Sequence, residues 1–162
     1  MRIAAVAALV LATSCAAGPS SATPAGSLSD LPPPLPALAD VDAVLAAIDR
    51  MPDQVGGAAR VAGSEGEARY KSGGEEFGVE VGEIEDAYGA GVTVDQAIGF
   101  VSNDLDDPVD CSEANTWCLS GTSDGSAVVA WGSRDGGLMF AAVAPDQELL
   151  GELLAAWSGV VG

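Results

Sequence analysis

The sequence predicts an α+β domain in which helices pack on one face of an antiparallel sheet of about five strands, in the order α-β-β-α-β-β-β-α. Strands are indicated by glycine-containing turns at 73–74, 124–125 and 135–137, each of which separates two apolar or alternating runs. Helices are indicated by three other segments in which apolar residues recur at helical spacing. Hairpins in mid-chain with helices at the ends favour a helix-covered sheet.

The first half of the domain is predicted to contain one helix and one hairpin. Asp40 can cap the helix by accepting backbone N–H groups, and Pro52 ends it. The apolar stripe of this helix consists of Val41, Val44, Leu45, Ile48 and Met51. Residues 56–66 are typical of a loop with at most a short strand at 60–62. Residues 67–72 and 75–84 are the two strands of the hairpin.

The second half is predicted to contain two helices and three strands. Thr93 and Gln96 have the spacing of a capping box at the start of a helix. Strands are expected at 116–121, 127–132 and 138–144, and the last two contain continuous apolar runs typical of strands covered on both faces. Pro145 is expected in the first turn of the last helix. The buried stripe of that helix consists of Leu149, Leu150, Leu153, Leu154 and Trp157.

Charge and composition restrict the classes of function. The chain has 162 residues with 24 Asp and Glu, 6 Lys and Arg and no His, for a formal charge of −18. This excess repels nucleic-acid phosphates and anionic lipid headgroups, so no nucleic-acid partner is expected. A chain without His cannot build a Ser-His-Asp or Cys-His catalytic set, and a zinc site of ordinary type is disfavoured. The acidity fits a solvated surface, or attraction of a cationic partner or of cations.

The first residues have the pattern of a secretory signal. Arg2 is followed by an apolar run at 3–12 and then by Thr13 and Ser14. The run is about ten residues long, roughly half of what a membrane-spanning helix needs. Such a signal is removed either at an alanine-rich site, for example after Ala17, or directly before Cys15.

The stretch Leu11-Ala12-Thr13-Ser14-Cys15 resembles the lipobox of bacterial lipoprotein precursors. The resemblance covers these residues only, and Ala12 stands where a large aliphatic residue is usual. It implies removal of residues 1–14 and attachment of a diacylglyceryl group, with fatty acids such as palmitate, to Cys15. Two acyl chains anchor a protein stably, whereas one binds only marginally. Residues 15–36 are then expected to form a disordered Pro/Ala/Ser tether, and 37–162 a single domain.

The remaining cysteines, Cys111 and Cys118, are predicted to form a disulfide. An exported protein with an odd number of cysteines has one left over, and acylation of Cys15 would leave an even pair. The alternative is a redox-active pair, but such pairs favour two intervening residues and this pair has six.

The most acidic segment, 103–110, is predicted to be a solvated loop. Its carboxylates are Asp104, Asp106, Asp107 and Asp110. Hard cations such as calcium bind several oxygen ligands on one loop, so these residues are weak candidates for a calcium site. The turn glycine of an EF-hand loop is missing and Pro108 lies inside, so no metal site and no cofactor are expected.

The expected function is therefore a non-catalytic binding or interaction module of the cell envelope. It is expected to be held at the extracytoplasmic face of the membrane by its lipid and to bind an envelope protein or ligand that the sequence does not identify. The alternatives are a cation-binding protein and a small hydrolase acting on cell-wall polymers with paired carboxylates. Glu75, Glu76 and Glu80 are the residues that such a hydrolase would draw on.

Overall fold

The structure, a computed structural model, describes residues 40–162. These residues form four helices and eight strands. In chain order they are α1 (Val41–Arg50), β1 (Gln54–Val55), β2 (Ala58–Val61), β3 (Glu67–Ser72), β4 (Glu75–Glu83), α2 (Ile84–Tyr88), α3 (Val94–Asp104), β5 (Asp106–Asp110), β6 (Thr116–Ser123), β7 (Ser126–Ser133), β8 (Leu138–Ala144) and α4 (Gln147–Val161).

All eight strands belong to one antiparallel sheet in the order β1-β2-β3-β4-β8-β7-β6-β5. Two four-stranded meanders, β1–β4 and β5–β8, are therefore joined side by side where β4 pairs with β8. The register of this junction runs from Gly78 opposite Val143 to Glu83 opposite Leu138. Because β4 and β8 are more than fifty residues apart along the chain, the sheet depends on a long-range pairing.

The predicted sheet of about five strands, and its element order, are wrong. β1 has only two residues, too few for a periodic pattern, and was not predicted. The short strand allowed at 60–62 overlaps β2, which begins two residues earlier, after the turn at Gly56-Gly57. The loop predicted at 103–110 contains strand β5, whose Asp and Pro residues disfavour strands. β5 lies at the edge of the sheet, where Pro108 is tolerated because no outer strand needs its N–H. The short helix α2 begins at the last residue of the predicted strand 75–84 and has too few residues to show a helical period.

Helices cover both faces of the sheet, and the prediction of one covered face is also wrong. On the first face α1 and α4 pack against β3, β4, β7 and β8. Trp131 and Phe140 stack there with ring centroids 5.3 Å apart, and Trp157 of α4 meets Trp131 edge-on at 6.3 Å. Aromatic pairs of this kind contribute about 0.5–1.5 kcal/mol each beyond the burial of their area.

On the second face α2 and α3 cover the half of the sheet formed by the later strands. Ile84, Ala97 and Val101 pack there against side chains of β6, β7 and β8, among them Trp117 and Met139. The runs in β7 and β8 are buried on both faces, as predicted for covered strands. The same face of β3 and β4 carries charged residues instead: Glu67, Arg69, Lys71, Glu76 and Glu80.

Side chains cap the helices at the residues that the sequence indicates. Asp40 accepts the N–H of Ala43 at 2.9 Å, and Thr93 and Gln96 form the predicted capping box. Asp146 caps α4 by accepting the N–H of Leu149 at 2.9 Å, so Pro145 lies before the helix rather than in its first turn. Each such cap stabilises a helix by roughly 1 kcal/mol.

Gly78 of β4 provides a test of the sheet. A Cβ at this position would overlap the carbonyl oxygen of Ala68 on β3, whereas a Cβ at Gly82 on the same strand meets nothing within 4 Å. We expect Gly78→Ala to lower the free energy of unfolding by about 1–3 kcal/mol, because rigid backbone must shift. Gly82→Ala, the matched control, should change it by less than about 0.5 kcal/mol. Denaturant titrations measure both, and equal effects would contradict the described packing of β3 on β4.

Candidate functional site

A groove with a volume of about 470 Å³ lies between the C-terminal part of α1, strand β2 and the loop that leads into β3. One wall consists of the C-terminal part of α1, with Leu45 and Ile48, and of the end of β2 at Val61. The other wall is the loop at 62–66 with Glu67. Asp49 and Arg60 complete the lining. The volume is within the range of about 300–1,000 Å³ found for small-ligand sites.

Arg60 builds the groove by joining β2 to the end of α1. Its guanidinium donates hydrogen bonds to the carbonyl oxygens of Ile48 and Met51, both at 2.8 Å, and to that of Asp49 at 3.4 Å. The last carbonyl groups of a helix have no partner within the helix and carry its negative dipole end, so a cation is stabilising there. The positive charge of Arg60 therefore already interacts with the carbonyl end of α1.

The loop wall is held by its own hydrogen bonds. The carboxylate of Glu67 accepts the N–H of Ser64 at 3.0 Å. The carbonyl oxygen of Gly66 accepts the N–H of Val81 from β4 at 2.9 Å. Gly66 has φ +81°, and a Cβ there would lie 2.9 Å from the carbonyl oxygen of Val81, so only glycine fits. The groove therefore has one wall tied to α1 and the other tied to β4.

The carboxylates of the groove have no cation paired with them in the described part of the chain. Asp49, Glu65 and Glu67 take part in no ion pair among residues 40–162. Arg50 instead donates to the carbonyl oxygen of Val160 at the end of α4, at 2.7 Å. The groove is thus bordered by negative charges that no cation among residues 40–162 pairs with.

The negative charge continues from the groove onto the open face of β3 and β4. Glu80 lies directly opposite Glu67 across these strands. Burial raises the pKa of Glu80, the carboxylate of Glu67 raises it further, and Arg69 acts against both. Among the other predicted hydrolase candidates, Glu76 pairs with Arg69 and, at 3.6 Å, with Lys71. Glu75 is exposed beside the turn of the hairpin.

The predicted disulfide is present. Cys111 and Cys118 are bonded to each other and join the chain that follows β5 to strand β6, with their Cα atoms 4.8 Å apart. The amide of Cys111 also donates to the carbonyl oxygen of Cys118 at 3.0 Å. The bridge thus fastens the edge strand β5 to its neighbour β6.

The four acidic candidates for a cation site lie along the edge of the sheet. Asp104 ends α3, whereas Asp106, Asp107 and Asp110 are exposed on β5. Hydrogen bonds from the side chain and the backbone of Ser112 lower the pKa of Asp110, with a smaller contribution from the charge of Arg134. No three residues of the types that bind metals converge as ligands within residues 40–162.

A second concavity of about 370 Å³ lies near the start of α1, beside α2 and the turn between β7 and β8. Its apolar lining includes Val41, Ile84 and Leu138, and two carboxylates, Glu83 and Glu85, border it. Further along this side, Tyr88 and the exposed Phe100 stack with ring centroids 5.1 Å apart. Burial raises the pKa of the Tyr88 hydroxyl, and Asp104 adds to the effect.

Three predictions about the anchor fall on residues that the structure does not describe. The signal peptide at 1–14, the lipid attachment at Cys15 and the tether at 15–36 lie outside residues 40–162. Among the described residues, no helix has the length and apolarity required to cross a membrane.

The sequence predicted a loop at residues 56–66, and the groove that this segment helps to form was not predicted. The segment 56–66 has no periodic pattern, and its carboxylates look like any other exposed acids of a chain with 24 of them. The available signal was Arg60, the one cation in a glycine-rich segment that follows a helix end, since a cation is favoured at helix C-termini. No protein-family model, curated protein or solved structure matches this chain.

Replacement of Glu80 tests the electrostatics of the open sheet face. Its raised pKa favours the protonated form in the folded chain. The stability that this provides is complete below the pKa of the unfolded chain and is lost as pH rises through the folded pKa. We expect Glu80→Gln to be more stable than the wild type at pH 7, by about 0.2–1 kcal/mol as for a like-charged cross-strand pair, and equal to it near pH 4.

The control for this prediction is Glu75→Gln, which removes the same charge from an exposed position. Its stability should follow that of the wild type at both pH values. Chemical unfolding at pH 4 and pH 7 measures the difference. An equal gain from both substitutions would mean that general charge repulsion, and not the pairing of Glu80 with Glu67, is responsible.

Proposed function

We propose that this protein is a membrane-anchored, non-catalytic binding module of the cell envelope and that its groove is the binding surface. One observation carries the proposal: a groove of about 470 Å³ is bordered by carboxylates that form no ion pair among residues 40–162. Exposed charges beside an apolar surface are typical of recognition sites, because apolar contact supplies affinity and charge supplies specificity.

The cysteine arrangement supports the lipid anchor. Cys111 and Cys118 are joined to each other, which leaves Cys15 as the cysteine of this chain that is outside that bond. Cys15 is also the final residue of the lipobox-like stretch. The residues between Cys15 and Asp40 leave room for a spacer between membrane and domain, which suits a partner in the envelope.

The placement of the carboxylates favours binding over hydrolysis. A glycosidase places two carboxyl groups about 5–9 Å apart on either side of the bond that it cleaves. Glu67 and Glu80 lie beside each other on adjacent strands and project from the same sheet face, and Glu76 is held by Arg69 and Lys71. Glu67 and Glu80 thus lie side by side on one surface and do not flank a substrate bond from two sides.

The anchor is tested by Cys15→Ser. Without its thiol the chain has no atom for the diacylglyceryl group, so we expect it to leave the membrane fraction or to remain unprocessed. Loss of both acyl chains removes about 0.8 kcal/mol of binding for each buried methylene, which abolishes stable anchoring. Fractionation of cells, together with the intact mass of the protein, measures the outcome.

The matched control is the double substitution Cys111→Ser with Cys118→Ser, which removes two cysteines and leaves Cys15 in place. This variant should stay in the membrane fraction with the mass of the acylated protein. Normal processing and membrane retention of Cys15→Ser would contradict the lipid anchor.

A further inference from the structure

We propose that the disulfide between Cys111 and Cys118 is a redox-sensitive switch. Its reduction by a dithiol releases strand β5 from the sheet and leaves β6 as the open edge. This inference goes beyond the proposed function, because β5 lies at the opposite end of the sheet from β1 and β2 and takes no part in the groove. The pair acts here as a bond that holds a strand and not as the catalytic pair of an oxidoreductase.

Strand β5 has few contacts of its own that hold it to the sheet. All five of its residues are exposed, and its Asp and Pro residues disfavour strands. Between Asp106 and Val109 it has one residue more than β6, so the ladder is interrupted by a bulge at which Asp107 has φ +48°. The strand is therefore held by a short, interrupted ladder and not by packed side chains.

The disulfide fastens this ladder at its end. Cys111 follows β5 directly, and its amide donates to the carbonyl oxygen of Cys118, whose own N–H donates to Oγ of Ser112 at 2.9 Å. The turn at 113–116 has two backbone hydrogen bonds of its own, and Leu105, just before β5, is buried. Because both flanks are fixed independently, loss of the bridge frees the strand between them and leaves the rest of the domain in place.

Reduction proceeds through the cysteine that a reagent can reach. Cys111 is partly exposed, whereas Cys118 is only 8% exposed, so a thiolate of the dithiol attacks the sulfur of Cys111. The disulfide breaks, a mixed disulfide forms at Cys111, and Cys118 leaves as a thiolate that takes up a proton. The second thiolate of the reagent then displaces Cys111, which is protonated in turn. The pair gains two electrons and two protons, and the dithiol becomes a disulfide.

The register of β6 identifies the amides that report the release. The backbone groups of Cys118 point towards β5, and backbone groups alternate in direction along a strand. Those of Ser120 and Thr122 therefore also point towards β5, whereas those of Leu119 and Gly121 point towards β7. Release of β5 would leave the first two amides unpaired and the other two bonded, so the same strand contains its own control.

Hydrogen exchange of the purified full-length chain, followed residue by residue by NMR with and without dithiothreitol, tests the inference. We expect reduction to speed exchange at Ser120 and Thr122 about tenfold or more, since a disulfide that closes a short loop stabilises by at least that factor. Leu119 and Gly121 should change by less than about twofold. Removal of the reductant and reoxidation should restore the slow exchange.

The double substitution Cys111→Ser with Cys118→Ser supplies the control for the reagent. It should show the fast exchange at Ser120 and Thr122 without reductant, and dithiothreitol should change it no further. An effect of the reagent on this variant would come from elsewhere in the chain and would overturn the inference.

Two other results would also overturn the inference. Unchanged exchange at Ser120 and Thr122 after reduction would mean that β5 stays paired without the bridge. Equal acceleration at Leu119 and Gly121, or throughout β4 and β8, would mean that the bridge stabilises the whole sheet and does not control one strand. Neither result bears on the lipid anchor, which the Cys15→Ser experiment tests separately.

Discussion

The pairing of β4 with β8 is the interaction on which the rest of the structure depends. It joins two meanders, each of which on its own would expose a row of unpaired backbone groups, into a single sheet. It also brings Phe77 and Val79 of one meander into the same core as Phe140 of the other, under α1 and α4. The groove depends on it indirectly, because its loop wall is fixed by the bond from Val81 of β4 to Gly66.

Local signals in the sequence predicted the elements that have strong periodicity or turn chemistry. The cap at Asp40, the capping box at Thr93, the hairpin turns and the disulfide are confirmed, because each follows from residues close together in the chain. The strand count and the pairing of the two meanders could not be obtained in this way, although the apolar runs of β7 and β8 did indicate strands covered on both faces. β5 owes its strand conformation to β6, against the propensity of Asp106–Asp110, and the partner of β4 is set by packing across the whole domain.

The site was even less accessible to sequence reasoning than the fold. Its acids are common residue types in this chain, and they differ from the other acids only in the neighbours that the tertiary structure places beside them. Arg60 acquires its role only when β2 returns to the end of α1, and Glu67 becomes part of an electrostatic pair only when β3 meets β4 at Glu80. The disulfide at the far edge and the aromatic cluster in the core stabilise the fold, whereas the carboxylates that border the groove form no ion pair among residues 40–162.

Native-state hydrogen exchange tests the central role of the junction most directly. Amides of β4 and β8 should exchange most slowly, with the same opening free energy in both strands, equal to that of global unfolding. This result would show that the two meanders open as one cooperative unit. Exchange of the β1–β4 amides through a separate opening of lower free energy, with β5–β8 still protected, would contradict the account.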